Sequence, residues 1–92
     1  MFAAAFKKLN FTRNVVVSRP DNIFLVRGRD AAGERAWYYV MVEKGKRDAF
    51  KAQEGVPFLK LTDYGEILRS GFGDNPPETI RKQMEDEYGF RE

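Results

Sequence analysis

Few side chains in this chain could do chemistry. Its 92 residues include no histidine and no cysteine. That removes the commonest general acid–base and transition-metal ligand, along with any thiol nucleophile, zinc-thiolate set or disulfide. Ser18 and Ser70 lack a histidine base, so a serine triad is excluded, and no motif points to a lysine-assisted variant. Carboxylates supply the remaining pairs, Asp63 with Glu66 and Asp74 with Glu78. Asp63 and Glu66 sit at a predicted helix start with N-cap to N3 spacing, and Asp74 and Glu78 flank a proline turn at another; both pairs are better explained as caps than by catalysis. A magnesium site built from carboxylates alone would need more ligands and a phosphate substrate. Gly71-Phe72-Gly73 invites comparison with a phosphate-binding glycine loop, but no lysine follows at the P-loop position and a helix is predicted before it. A glycine helix stop, a buried or half-buried Phe72 and a turn form the better reading. No catalytic, cofactor-binding or metal-binding residue is assigned, no cofactor is implied, and a non-enzymatic protein is expected.

The richer set is basic. Arg27 and Arg29 end one predicted strand, Arg35 starts the next, and Lys44, Lys46, Arg47 and Lys51 follow it. Trp37 and Tyr39 lie between the two groups. With these side chains a sheet could offer rings to bases and cations to phosphates. Arg27, Arg29, Arg35, Trp37, Tyr39, Lys44, Lys46 and Arg47 are therefore the candidate contacts for a partner or for nucleic acid. Hairpin pairing puts Arg29 and Arg35 near one end of the sheet and Lys44 to Arg47 near the other, so the cations need not make one patch. The competing reading buries Trp37, Tyr39 and Met41 under C-terminal helices and leaves the cations to solvate strand ends. It is favoured, because a domain this small needs its aromatics for the core.

Net charge is only +2, but it is unevenly spread: residues 1–51 carry eleven Lys or Arg against five Asp or Glu, and residues 52–92 carry five against nine. Such an imbalance marks either a polyanion-binding half or two halves that attract each other in the fold; the second is favoured. No apolar run approaches the ~18 residues of a membrane span. The start, Met-Phe-Ala-Ala-Ala-Phe-Lys-Lys-Leu, lacks the basic lead-in of a secretory signal. A cytoplasmic location is the default expectation.

The elements that must position these groups come from pattern and punctuation. Ala36-Trp37-Tyr38-Tyr39-Val40-Met41-Val42 is seven residues without a formal charge, rich in aromatic and β-branched types, and reads as a strand over 35–43. Alternation puts Ala36, Tyr38, Val40 and Val42 on one face and Trp37, Tyr39 and Met41 on the other. Both faces are apolar, as in a central strand covered on two sides or one that meets a partner. Before it, Val15-Val16-Val17 and Ile23 to Val26 read as strands, the latter extending through Arg27 and Arg29. Ser18-Arg19-Pro20-Asp21-Asn22 is a tight reversal, and Asp30-Ala31-Ala32-Gly33 a type I turn whose glycine is left-handed. Three strands joined by short loops make an antiparallel meander.

Helices are predicted after the sheet: a short one over Asp48 to Glu54 stopping at Gly55, one over Tyr64 to Ser70 opened by the Asp63–Glu66 capping box, and one from an Asn75 cap to Tyr88 stopping at Gly89. In the last, Ile80, Met84 and Tyr88 form a narrow apolar stripe. Phe58 to Leu61 is either a short edge strand or an extended segment laid on the core. Phe2, Phe6 and Leu9 fall at helical spacing, but nine residues are too few for an independent helix.

The stretch from Gly33 to Lys51, a strand bearing Trp-Tyr-Tyr and then Gly-Lys-Arg, resembles in element order the arm-type DNA-binding domain of tyrosine recombinases. Basic residues at a helix start after a third strand are also similar to the double-stranded-RNA-binding domain, although that family's long first helix and its histidine-containing loop have no counterpart here. Either likeness implies a nucleic-acid partner.

The expected fold is one α+β domain over 1–92: a three-stranded antiparallel meander at about 14–43, then a helical part at about 47–89 packed mainly on one sheet face. The expected function is a small protein-interaction module, self-associating through an uncovered sheet face or edge or binding another protein. The alternative is a nucleic-acid-binding module using the basic N-terminal half and the sheet aromatics.

Overall fold

A computed structural model describes residues 10–17, 22–54 and 59–91, with side chains described from Asn22 onward. The fold is α+β, and all three predicted strands are present in antiparallel order: β1 (Asn10–Val17), β2 (Ile23–Arg29) and β3 (Arg35–Val42). The sheet has a fourth strand, β4 (Gly65–Phe72), and the spatial order follows the sequence, β1-β2-β3-β4. Among the described residues two helices accompany it, α1 (Arg47–Lys51) and α2 (Glu78–Tyr88), with a 3₁₀ turn at Leu61–Asp63. The N-terminal helical spacing, the reversal at residues 18–21, the stop at Gly55 and Phe58 lie outside the described residues. Among the described residues no helix is long and apolar enough to cross a membrane.

The β2–β3 hairpin follows from its turn chemistry. Arg29 pairs with Arg35 as the last rung, and the Gly33 amide then donates to the Asp30 carbonyl at 3.0 Å. Gly33 has φ +83°, a conformation costly for any residue with a Cβ. The Asp30 carboxylate accepts the Ala32 and Glu34 amides at 2.9 Å each, closing the loop from inside.

Residues 64–70 correct the predicted helix. From Gly65 onward they belong to β4, paired with β3 from Ala36↔Phe72 to Val42↔Gly65. The seven-residue helix would have carried Gly65, at about 1 kcal/mol relative to alanine, for little nucleation gain. As a strand, the same segment uses its glycines for contact. A Cβ on Gly65 would lie 2.0 Å from the Met41 carbonyl oxygen, and one on Gly71 would lie 2.4 Å from Cζ2 of Trp37. Gly71 is the cross-strand partner of Trp37, so the missing side chain is the space the indole fills. The capping box does not form. Asp63 pairs instead with Lys60 at 3.7 Å, and Glu66 is an exposed residue opposite Met41.

The expectation that the helices gather on one face is also corrected: both faces are covered. On one, Phe24, Val26, Tyr38, Val40 and Val42 pack with Phe50 of α1 and with Leu59 and Leu61. On the other, Ile23, Leu25, Trp37 and Tyr39 pack with Met84 of α2 and with Phe90 just beyond it. The ladder slips by one residue between Tyr39 and Val40, leaving Leu68 as the extra residue of a bulge. A bulge turns neighbouring side chains toward one face. Leu68 packs into the α2-side core while Arg69 pairs with Glu87 of α2 at 3.1 Å. α2 ends as its sequence predicts, at Gly89 with φ +71°. The Gly89 and Phe90 amides bond the Glu85 and Met84 carbonyls, which aims Phe90 back at the core.

Candidate functional site

The candidate contacts fall into three environments. Trp37 is 4% exposed and Tyr39 0%. Their rings meet edge-on at 5.9 Å, and Tyr39 meets Phe90 at 5.0 Å. Rings enclosed this way are core, and they have no face on which a base could stack. The reading that used sheet aromatics for nucleic acid has no accessible ring at these two positions. Trp37 Nε1 is buried and has no hydrogen-bond partner among the described residues.

Lys44, Lys46 and Arg47 lie past the Val42 end of β3. The Lys46 ammonium sits 3.6 Å from the Glu43 carboxylate and donates to the Asp63 carbonyl at 3.0 Å. It thereby ties the β3–α1 turn to the 3₁₀ turn. Lys44 is exposed, and Arg47 opens α1.

Arg27, Arg29 and Arg35 converge at the opposite end. Arg29 and Arg35 are directly paired across β2 and β3, so their side chains leave the same face. Arg27, one alternation back, opposes Trp37. The three border a cleft of about 380 Å³ closed on one side by Asp74 and Asn75. The Arg27 guanidinium donates through Nε to the Asp74 carbonyl and to Asn75 Oδ1, both at 3.1 Å, and through Nη2 to Asn75 Oδ1 at 2.9 Å. Arg35 Nη1 donates to the Asp74 carboxylate at 2.6 Å. That hydrogen bond, and next the carboxylate's charge, raises the Arg35 pKa above its already high ordinary value. Arg29 Nη1 donates to the Gly33 carbonyl at 2.9 Å.

Asp74 and Asn75 are the residues sequence reasoning assigned to another job. Asn75 does not cap α2: the helix is preceded by Pro77 without a side-chain cap, and the Asn75 side chain serves Arg27. No local pattern marks that, since the partners are 48 positions apart. Phe72 is a second correction. Expected to be buried or half-buried, it is 65% exposed, the large hydrophobic side chain most open to solvent among the described residues. It ends β4, an edge strand, and its partner Ala36 adjoins Arg35. Among the described residues no three acidic side chains gather closely enough to hold a metal ion. Comparison of the chain with protein-family models, with curated proteins and with solved structures gave no match.

Proposed function

We propose that this chain is a small, non-enzymatic interaction module that self-associates through the β4 edge. The observation that carries the reading is Phe72, a large apolar side chain held in solvent at the end of an edge strand. With both sheet faces occupied by core, the edges are where further pairing can occur. β4 contains neither lysine nor proline, two common guards against strand addition. The occupant is β4 of a second copy, antiparallel across a two-fold axis, because an antiparallel edge continues its own ladder. The Leu68 bulge bends the first half of the strand, so the pairing segment is Arg69 to Phe72 and the contact is small. Self-association is therefore weak and appears only at high protein concentration.

Sedimentation equilibrium over a wide concentration range tests this. The wild-type chain is expected to shift toward dimer as concentration rises, and Phe72→Lys to lose that shift while keeping its circular-dichroism spectrum. A wild-type chain that stays strictly monomeric at the highest concentration overturns the proposal, as does a Phe72→Lys variant that associates equally well.

A further inference from the structure

We propose that the arginine cleft at the Arg29–Arg35 end of the sheet binds a phosphate-type oxyanion. The first argument is charge. Three guanidiniums border the cleft, and Asp74 is the carboxylate among its lining residues. Arg29 and Arg35 stand directly opposite each other on neighbouring strands, an arrangement that destabilises a sheet when nothing separates the like charges. Asp74 answers Arg35, whereas among the described residues Arg29 meets only a neutral carbonyl. An anion between the two forks relieves repulsion that the described residues leave in place.

The second argument is preorganisation. Each guanidinium is held by part of its donor set: Arg29 and Arg35 by Nη1, Arg27 by Nε and Nη2. Among the described residues the Nε and Nη2 groups of Arg29 and Arg35 have no hydrogen-bond partner. A fork fixed by one nitrogen with two donors left over matches the bidentate geometry of a phosphoryl group, and less side-chain entropy remains to be lost on binding. Gly28 lies between Arg27 and Arg29 along β2, and its backbone borders the cleft. A volume of about 380 Å³ admits a phosphoryl group together with a substituent.

The shared chemistry is the phosphate oxyanion; it can come from a free phosphate monoester or from a nucleic-acid backbone. The experiment is an NMR titration of the full chain with inorganic phosphate at constant ionic strength made up with chloride, following the Arg29 and Arg35 Nε–H signals and the Gly33 and Asp74 amides. Saturable shifts confined to this end are expected, with Arg29→Gln weakening the affinity about tenfold, the scale of one charge-assisted bond. Asp74→Asn is expected to change it in the opposite sense, strengthening binding a few-fold, because a competing negative charge is gone. A merely structural cleft would not respond in opposite senses to these two variants. A parallel titration with single-stranded oligothymidylate separates the sources. A backbone ligand gives tighter binding per site than inorganic phosphate and a steep salt dependence; a monoester ligand gives equal affinity per phosphate. Shifts no larger than chloride alone produces, or Arg29→Gln and Asp74→Asn variants that titrate like wild type, overturn the proposal.

Discussion

The two faces of the sheet are closed by different means. The Tyr38 face is covered piecemeal: Phe50 comes from a helix of five residues, and Leu59 and Leu61 come from a chain segment with only a 3₁₀ turn. Phe50 meets Phe24 at 4.9 Å and Tyr64 at 5.6 Å between ring centres, so one side chain links three elements. The Trp37 face is covered by one continuous helix of eleven residues that contributes Ile80, Met84 and Tyr88 along a stripe, followed by Phe90. Coverage resting on one ring fails when that ring is removed, whereas a stripe shares the loss among neighbours.

Truncating each cover in turn tests this contrast most severely. Phe50→Ala is expected to cost about 3–5 kcal/mol, because the cavity opens where no continuous element can move in to fill it. Met84→Ala removes an equally buried residue from the other face, yet its cost is expected near the lower end of about 2–5 kcal/mol, since the thioether's neighbours on α2 can settle inward. Urea unfolding of both variants gives the comparison. A Met84→Ala cost equal to or above that of Phe50→Ala breaks it.

Gly71→Ala comes next in size and acts on the Trp37 face alone. The added methyl would enter the space of the indole, 2.4 Å from Cζ2 and 2.9 Å from Cε2. A rigid ring must shift, at about 1–3 kcal/mol for overpacking. Tryptophan fluorescence reads the event locally, and a red shift with loss of stability is expected. An unchanged spectrum and midpoint would mean that the Trp37–Gly71 pairing does not hold this face together. Gly89→Ala is smaller. The residue has φ +71°, and placing a Cβ there costs about 1 kcal/mol by loss of the left-handed helix stop. Because that stop aims Phe90, the same variant should expose Phe90 to solvent, which hydrogen exchange at the Phe90 amide would detect.

Which of these features were legible in the sequence follows a physical division. The β2–β3 hairpin was readable because its determinants are local: Asp30 and Gly33 close the turn by bonds within five residues, and the alternation of 36–42 assigns faces directly. The α2 terminus was readable for the same reason, from Gly89. β4 was not. Its glycines resemble helix punctuation until their partners are known, and those partners, Met41 and Trp37, are on another strand. The candidate site divides likewise. The adjacency of Arg29 and Arg35 came from hairpin pairing, whereas the clamps by Asp74 and Asn75 depend on a connection folding back across the sheet. Local spacing favours a cap at both positions, and tertiary hydrogen bonding takes the side chains elsewhere.

The smallest effect at neutral pH is the one that best separates the faces chemically. Tyr38 puts a phenol inside the piecemeal face, where burial first and the Asp30 carboxylate second push its pKa up to about 12. The neutral phenol is favoured in the folded state, so the sign is fixed. Below pH ~10, the ordinary value for tyrosine, both folded and unfolded chains hold the proton and stability does not depend on this group. Above that, the unfolded chain loses its proton while the folded chain keeps it, and stability falls as pH rises until the folded phenol ionises near 12. The useful quantity is a difference, which isolates this one group. Stability of wild type minus that of Tyr38→Phe, followed by urea midpoint from pH 9 to 12, is expected to be flat at first and then to decline. A constant difference across the window would show that the ring reaches water when it ionises. The Tyr38 face would then be looser at neutral pH than its packing implies, and the contrast with the Trp37 face would widen.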